Sequence, residues 1–337
     1  MGNDGVSGKE LYVTDGTNDF FRLVKDINTN TDSNPEYLVY MNGYIYFTAT
    51  DGFTGVELWR TSVNEQVAEL VKDINVGPLD SRPDHLIVIG STLYFVASDG
   101  VHGRELWKSD GTESGTILVK DIYPGGDHSN PSELTAIQDT LFFRANNGIT
   151  GDDLWKSDGT NSGTSLIKDF ENNGSYGYPR GFTVMGNRLY FVHQNLAEST
   201  GRFELWISDG SNIGTVLVKG GFASIYSNSE PPMQSINGFL YFLADDGSTG
   251  IELWKSDGTS LGTTLVKDIY PGNSGSNIER LIAMDHTLYF TANDGVGGQE
   301  LWKSDGSPSG TLMVKDINPG IDSGRPSLLT VAGNILY

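Results

Sequence analysis

The sequence predicts an all-β fold, a seven-bladed β-propeller of four-stranded antiparallel blades, and three observations predict it. A Glu-Leu-Trp tripeptide returns at nearly constant spacing along the whole chain. The segments between its copies are short, rich in β-branched and aromatic residues, and separated by Gly-containing turns. The first and last segments read as complementary parts of one further unit, two strands from each.

The tripeptide stands at Glu10-Leu11-Tyr12, Glu57-Leu58-Trp59, Glu105-Leu106-Trp107, Asp153-Leu154-Trp155, Glu204-Leu205-Trp206, Glu252-Leu253-Trp254 and Glu300-Leu301-Trp302, with successive spacings of 47, 48, 48, 51, 48 and 48. All six tryptophans occupy this one position, and Tyr12 takes the seventh. A Lys follows 13 residues later in every unit: Lys25, Lys72, Lys120, Lys168, Lys219, Lys267 and Lys315. A period near 48 with four short apolar runs is that of a propeller blade, whereas helical repeats would show a 3.6-residue spacing and few glycines.

Within one unit the strands fall around Leu134 to Ile137, Leu141 to Ala145, Leu154 to Ser157 and Thr164 to Phe170. Polar pairs such as Asn42-Gly43 and Asn237-Gly238 join the first two strands, because they accept the positive φ of tight hairpins. Segments such as Asn293 to Gly298 join the second and third, and Ser-Asp-Gly-Thr-x-x-Gly-Thr, as at Ser256 to Thr263, joins the third and fourth. Runs such as Leu93-Tyr94-Phe95-Val96-Ala97 are apolar on both faces, as a sheet sandwiched between two others requires. The sequence expectation is one domain over 1–337, with a split blade from about 1–30 and 320–337, its ring closed so that no strand edge is left exposed.

The string Glu105-Leu106-Trp107-Lys108-Ser109-Asp110-Gly111-Thr112, with Gly115-Thr116 and Val119-Lys120-Asp121-Ile122 after it, resembles the bacterial ELWxxDGT repeat. The resemblance covers essentially the whole chain and implies a propeller-type fold in an exported or cell-surface protein; it implies no activity. Departures include Ser62-Val63-Asn64 in place of Asp-Gly-Thr and Gly220-Gly221-Phe222 in place of Asp-Ile.

A net charge of −21 repels phosphate backbones, so nucleic acid is not an expected partner. No apolar run approaches the ~20 residues of a membrane helix, and membrane insertion is not expected. There is no cysteine, which excludes disulfides and thiolate metal sites. The first residues lack the basic and apolar regions of a signal peptide. A monomer is expected.

The Trp series reads as packing between blades, with a ligand-stacking ring as the sharper alternative. The Asp-Gly-Thr series reads as a turn, since it lacks the spacing of a calcium loop. Acidic turns between second and third strands carry Asp4, Asp51, Asp99, Asp246 and Asp294, and linkers begin with Asp26, Asp73, Asp121, Asp169, Asp268 and Asp316. On one face these would form rings of hard oxygen ligands for calcium; alternatively each caps its own turn.

Catalytic motifs are absent, and the five histidines are scattered along the sequence. Irregularity gathers in one sector: three extra residues in the loop His193 to Phe203, and unusual linkers carrying Tyr176, Tyr178 and Tyr226. Tyr176, Tyr178, His193 and Tyr226 are therefore the candidate ligand-binding residues, suited to a glycan or a protein. The expected role is a non-enzymatic binding or scaffold module. A polysaccharide hydrolase or lyase and a purely structural spacer are the alternatives.

Overall fold

In the computed structural model, residues 1–17, 20–63, 67–170, 177–196, 201–226 and 233–337 are described, the side chain of Tyr226 excepted. They contain no helix; every regular element is a strand, and every strand pairing is antiparallel. The chain forms two compact units, Met1–Asp169 and Phe170–Tyr337.

The first unit opens with a three-stranded sheet, β1 (Gly2–Asn3), β2 (Lys9–Thr14) and β3 (Phe21–Lys25). Three four-stranded meanders follow. They are β4 (Glu36–Met41), β5 (Tyr44–Thr50), β6 (Val56–Ser62) and β7 (Ala68–Lys72); β8 (Asp84–Ile89), β9 (Thr92–Ser98), β10 (Arg104–Ser109) and β11 (Ile117–Lys120); and β12 (Ser132–Ile137), β13 (Thr140–Asn146), β14 (Asp152–Ser157) and β15 (Ser165–Lys168). The first strands β4, β8 and β12 lie beside one another.

The second unit repeats the pattern with β16 (Arg180–Met185), β17 (Arg188–Asn195), β18 (Arg202–Ser208) and β19 (Val216–Phe222). Its next sheet is enlarged: β20 (Ser224–Tyr226) and β21 (Met233–Ile236) both pair with β22 (Phe239–Asp245), which continues to β23 (Ile251–Ser256) and β24 (Thr264–Lys267). Then come β25 (Glu279–Met284), β26 (Thr287–Asn293), β27 (Gln299–Ser304) and β28 (Leu312–Lys315), and a final hairpin of β29 (Val331–Ala332) and β30 (Ile335–Leu336).

The core sits between successive sheets. Trp107 of β10 packs with Tyr46, Leu58 and Ile74 of the preceding sheet and its linker, and Trp155 packs in the same way with Tyr94, Leu106 and Ile122. Trp59, Trp107, Trp155, Trp254 and Trp302 are only 4–6% exposed, so the tryptophan series is interior packing rather than a stacking ring. The recurring Lys spans the same interfaces. Lys72 Nζ donates to the Thr116 carbonyl at 2.9 Å, Lys120 to Thr164 at 2.9 Å, and Lys219 and Lys267 to Thr263 and Thr311 at 2.8 Å. Each therefore reaches the main chain of the following sheet.

The recurring Glu ties third strand to linker. Glu105 is fully buried; Oε2 accepts the Ile122 N–H at 3.0 Å and the Ser129 hydroxyl at 2.5 Å, and Oε1 accepts the Ser129 N–H at 3.0 Å. Glu57 does the same with Ile74 and Ser81. Burial outweighs these donors and pushes the carboxyls of Glu57, Glu105 and Glu252 up to about 7.

Candidate functional site

The acidic turns are built as local caps. Asp4 Oδ1 accepts the N–H groups of Val6 and Ser7 at 2.8 and 2.7 Å, and Asp51 Oδ1 those of Phe53 and Thr54, both at 2.8 Å. Asp99 Oδ1 takes Val101 and His102 at 2.9 Å. Asp246 accepts Ser248 N–H at 2.8 Å and its hydroxyl at 2.7 Å, and Asp294 accepts Val296 and Gly297 at 2.9 and 2.8 Å. The N–H groups of Ser7 and Val6 draw the Asp4 carboxyl down to about 2. The turn donors likewise outweigh burial at Asp51, Asp99 and Asp246 and hold them below the usual carboxylate range.

Of the linker carboxylates, Asp73 Oδ2 accepts the Gly77 N–H at 3.1 Å and Asp121 Oδ2 that of Gly125 at 3.2 Å, while Oδ1 of Asp26, Asp73, Asp121, Asp268 and Asp316 is buried without a hydrogen-bond partner among the described residues. Among the described residues, no group of three or more His, Asp or Glu side chains is placed to hold a metal. The expected calcium rings thus lack a ligand cluster there, and Asp4, Asp51, Asp99, Asp246 and Asp294 each close their own turn.

The irregular sector centres on a substitution inside the sheet. Ala49, Ala97, Ala145, Ala244 and Ala292 stand fully buried at one position of the second strand; His193 takes that place in β17. His193 is not on an exposed loop, as the sequence suggested, but paired across the sheet with Glu204 and only 5% exposed. Its Nδ1 lies 3.5 Å from Glu204 Oε2, and its ring stacks on Phe170 at 4.7 Å. Gly177 makes room for it: a Cβ there would lie 3.1 Å from His193 Nε2 and 1.8 Å from the Gln194 carbonyl oxygen.

Glu204 is rewired accordingly. The linker beyond it has lost its Asp, and β19 runs on to Phe222 instead of turning after Lys219. Glu204 accepts the Trp206 indole N–H at 2.9 Å and the Asn195 amide at 3.0 Å. The indole N–H groups of Trp59, Trp107, Trp155, Trp254 and Trp302 have no such partner among the described residues. Burial pushes the Glu204 carboxyl up, but His193, Trp206 and Asn195 together hold it below its ordinary value.

On the surface of this sector Tyr178 is 40% exposed, with the Arg180 guanidinium 5.7 Å from its ring centre and 5.1 Å from that of Phe203. Arg180 contacts both rings, in a stack suited to a flat or apolar ligand face. Tyr226 ends β20, but its side chain, like Tyr176, lies outside the described residues.

One row of residues escaped the sequence reading. The first strand of each regular sheet carries a bulge, seen as register shifts at Glu36/Val39, Asp84/Ile87, Ser132/Thr135, Arg180/Thr183 and Glu279/Ile282. The bulge holds one residue at positive φ: Tyr37, His85, Glu133, Gly181 and Arg280, with Leu328 at the same repeat position. Six copies carry six residue types on a constant backbone. The signal was present as the variable column beside invariant ones, although no motif marks it.

No family model matches the chain, and no curated protein matches it. Among solved structures it is similar to the computationally designed Ika8 protein, at 14% identity over 94% of this chain and 83% of that one, with a TM-score of 0.47. It is also similar to a prolyl endopeptidase, at 12% identity over 89% of this chain and 45% of that one (TM-score 0.49). Oligopeptidase B from Leishmania major gives 13% identity over 83% of this chain and 41% of that one (TM-score 0.47). The chain spans less than half the length of either peptidase, and with every one of these TM-scores below 0.5 no activity or substrate carries over to it.

Proposed function

We propose that this chain is a non-enzymatic binding module of an exported or cell-surface protein, monomeric, that recognises a glycan or a protein through the sector around Tyr178. The observation that carries this reading is the half-exposed Tyr178–Arg180–Phe203 stack, set on a sheet that departs from its siblings at His193 and Glu204. A repeated scaffold altered at one place, with an exposed aromatic ring there, is what a recognition site needs. Exported location follows from the ELWxxDGT resemblance alone. The turn carboxylates are engaged locally, and calcium has no part in this reading.

The test is a glycan array and a pull-down with the intact chain and with Tyr178→Ala. A ligand whose binding falls at least tenfold in the variant, with unchanged thermal unfolding, supports the module. Binding indifferent to Tyr178 would leave a spacer role, and turnover of a bound polysaccharide would make the chain an enzyme.

We also propose that the fold is a seven-bladed propeller closed by its own ends. Two registers support this. Gly2 pairs with Glu10 as Ala97 pairs with Glu105, and Val331 pairs with Leu336 as Val88 pairs with Leu93. By the same register Leu336 belongs opposite Thr14, as Leu93 sits opposite Ser109. The chain has no cysteine, so Thr14→Cys with Leu336→Cys can be read cleanly. An intramolecular disulfide under mild oxidation is expected, and crosslinks only between molecules would refute closure.

A further inference from the structure

A cavity of about 420 Å³ opens between the bulged starts of β4 and β8, lined by Glu36, Tyr37, Val56, Arg82, Pro83 and Arg104, among others. It lies wholly within the first unit, apart from the Tyr178 sector. Its aromatic residue is one the repeat does not share. Arg82 stands where Asn34, Asn130 and Asn277 stand and is matched by Arg325; Glu36 corresponds to Ser132 and Arg180 and is matched by Glu279; Tyr37 belongs to the variable row and is replaced by Arg280 beside that second Glu.

The charges in this cavity divide into spent and available. Arg104 is spent: one guanidinium nitrogen lies 2.6 Å from Asp84 Oδ2 and another donates to the Arg82 carbonyl at 3.0 Å. Asp84 is spent too, its other oxygen lying 2.8 Å from His85 Nδ1. Arg82 is anchored by Nε alone, 3.0 Å from Asp80 Oδ2, and its side chain is 75% exposed. Its Nη edge is therefore free for a fork-like grip on a carboxylate. The Glu36 carboxylate has no hydrogen bond or ion pair among the described residues. Tyr37 is 52% exposed, and Val56 and Pro83 add apolar wall.

One available cation, one available anion and an apolar surface with an aromatic ring describe a receptor for a ligand carrying the complementary set. We propose that this cavity binds an amino-carboxylate zwitterion with an apolar side chain, of the α-amino acid class. Arg82 takes the carboxylate, Glu36 the ammonium, and Tyr37 with Pro83 and Val56 the side chain. The volume suits a ligand of that size and falls in the usual range for small-molecule sites. A dicarboxylate would face Glu36, and a diamine would face Arg82, so each is disfavoured by an unpaired like charge.

The repeat itself supplies variants that the scaffold already tolerates. Arg82→Asn copies Asn34 and Asn130, Glu36→Ser copies Ser132, and Tyr37→Leu copies Leu328. Titration of the intact chain with L-phenylalanine is read by NMR, with phenethylamine and 3-phenylpropionate as ligands of one charge each. L-phenylalanine is expected to shift the resonances of Tyr37 and Arg82 saturably. Arg82→Asn weakens it tenfold or more and removes the response to 3-phenylpropionate but not to phenethylamine; Glu36→Ser does the converse. Thermal unfolding of both variants stays near that of the parent. Absence of saturation by about 10 mM, a range where affinity is already below about 4 kcal/mol, overturns the proposal. Equal binding of the single-charge ligands and the amino acid, or indifference to both variants, overturns it equally. None of these outcomes depends on Tyr178.

Discussion

Gly111 shows how much one residue of the Asp-Gly-Thr turn carries. It sits at φ 95°, and a Cβ there would lie 2.1 Å from the hydroxyl of Tyr46 in the preceding sheet. Asp110 accepts the Thr112 N–H and hydroxyl at 2.8 and 2.7 Å, and the Thr112 hydroxyl accepts the Gly115 N–H at 2.9 Å. Gly111→Ala combines the cost of a left-handed Ala, about 1–2 kcal/mol, with displacement of a buried Tyr. Urea unfolding should show a loss of at least ~2 kcal/mol. The sequence announced this turn, because Asp, Gly and Thr each have a local reason to be there. It singled out His193 but set it on a loop rather than inside the sheet, since nothing in a string of letters separates the last buried residues of a long strand from the first residues of an inserted loop.

At the scale of the element, the buried Glu of the regular third strands, as at Glu57, Glu105 and Glu252, acts as the hub that seats the linker. The sequence displayed this Glu in six of seven units without revealing its partners, which lie 17 and 24 residues away. Its chemistry gives stability a pH dependence. Glu57, Glu105 and Glu252 are pushed from 4.5 to about 7 in the folded chain, so between those values the folded state holds more protons than the unfolded one. Their contribution is present below pH 4.5 and is lost as pH rises through about 7. His102, raised by Asp99, adds in the same direction. The turn aspartates oppose it only on further acidification, below their ordinary range. The melting temperature should therefore be higher at about pH 5.5 than at about pH 8, and Glu105→Gln should flatten the difference.

For the molecule as a whole, a net charge of −21 invites loosely held cations, and no cluster of three or more acidic or His side chains gathers to seat one among the described residues. The turn aspartates already accept two N–H groups each, so removal of calcium with a chelator is expected to leave the melting temperature unchanged at physiological salt. A calcium-dependent rise of several degrees would show a ligand set formed outside the described residues. The all-β architecture was legible because a 48-residue period with fixed turn chemistry leaves few alternatives. The variable row at Tyr37, His85 and Glu133 was not, because the bulge that presents it is a backbone event caused by no single residue type.

The lysine contact between neighbouring sheets has one more implication. Its acceptor is a carbonyl oxygen, which every amino acid possesses, so the latch is indifferent to the letters on the receiving side. A unit copied by gene duplication would arrive with its own latch and find a keeper waiting. What the newcomer must still match is the apolar face on which its Trp rests.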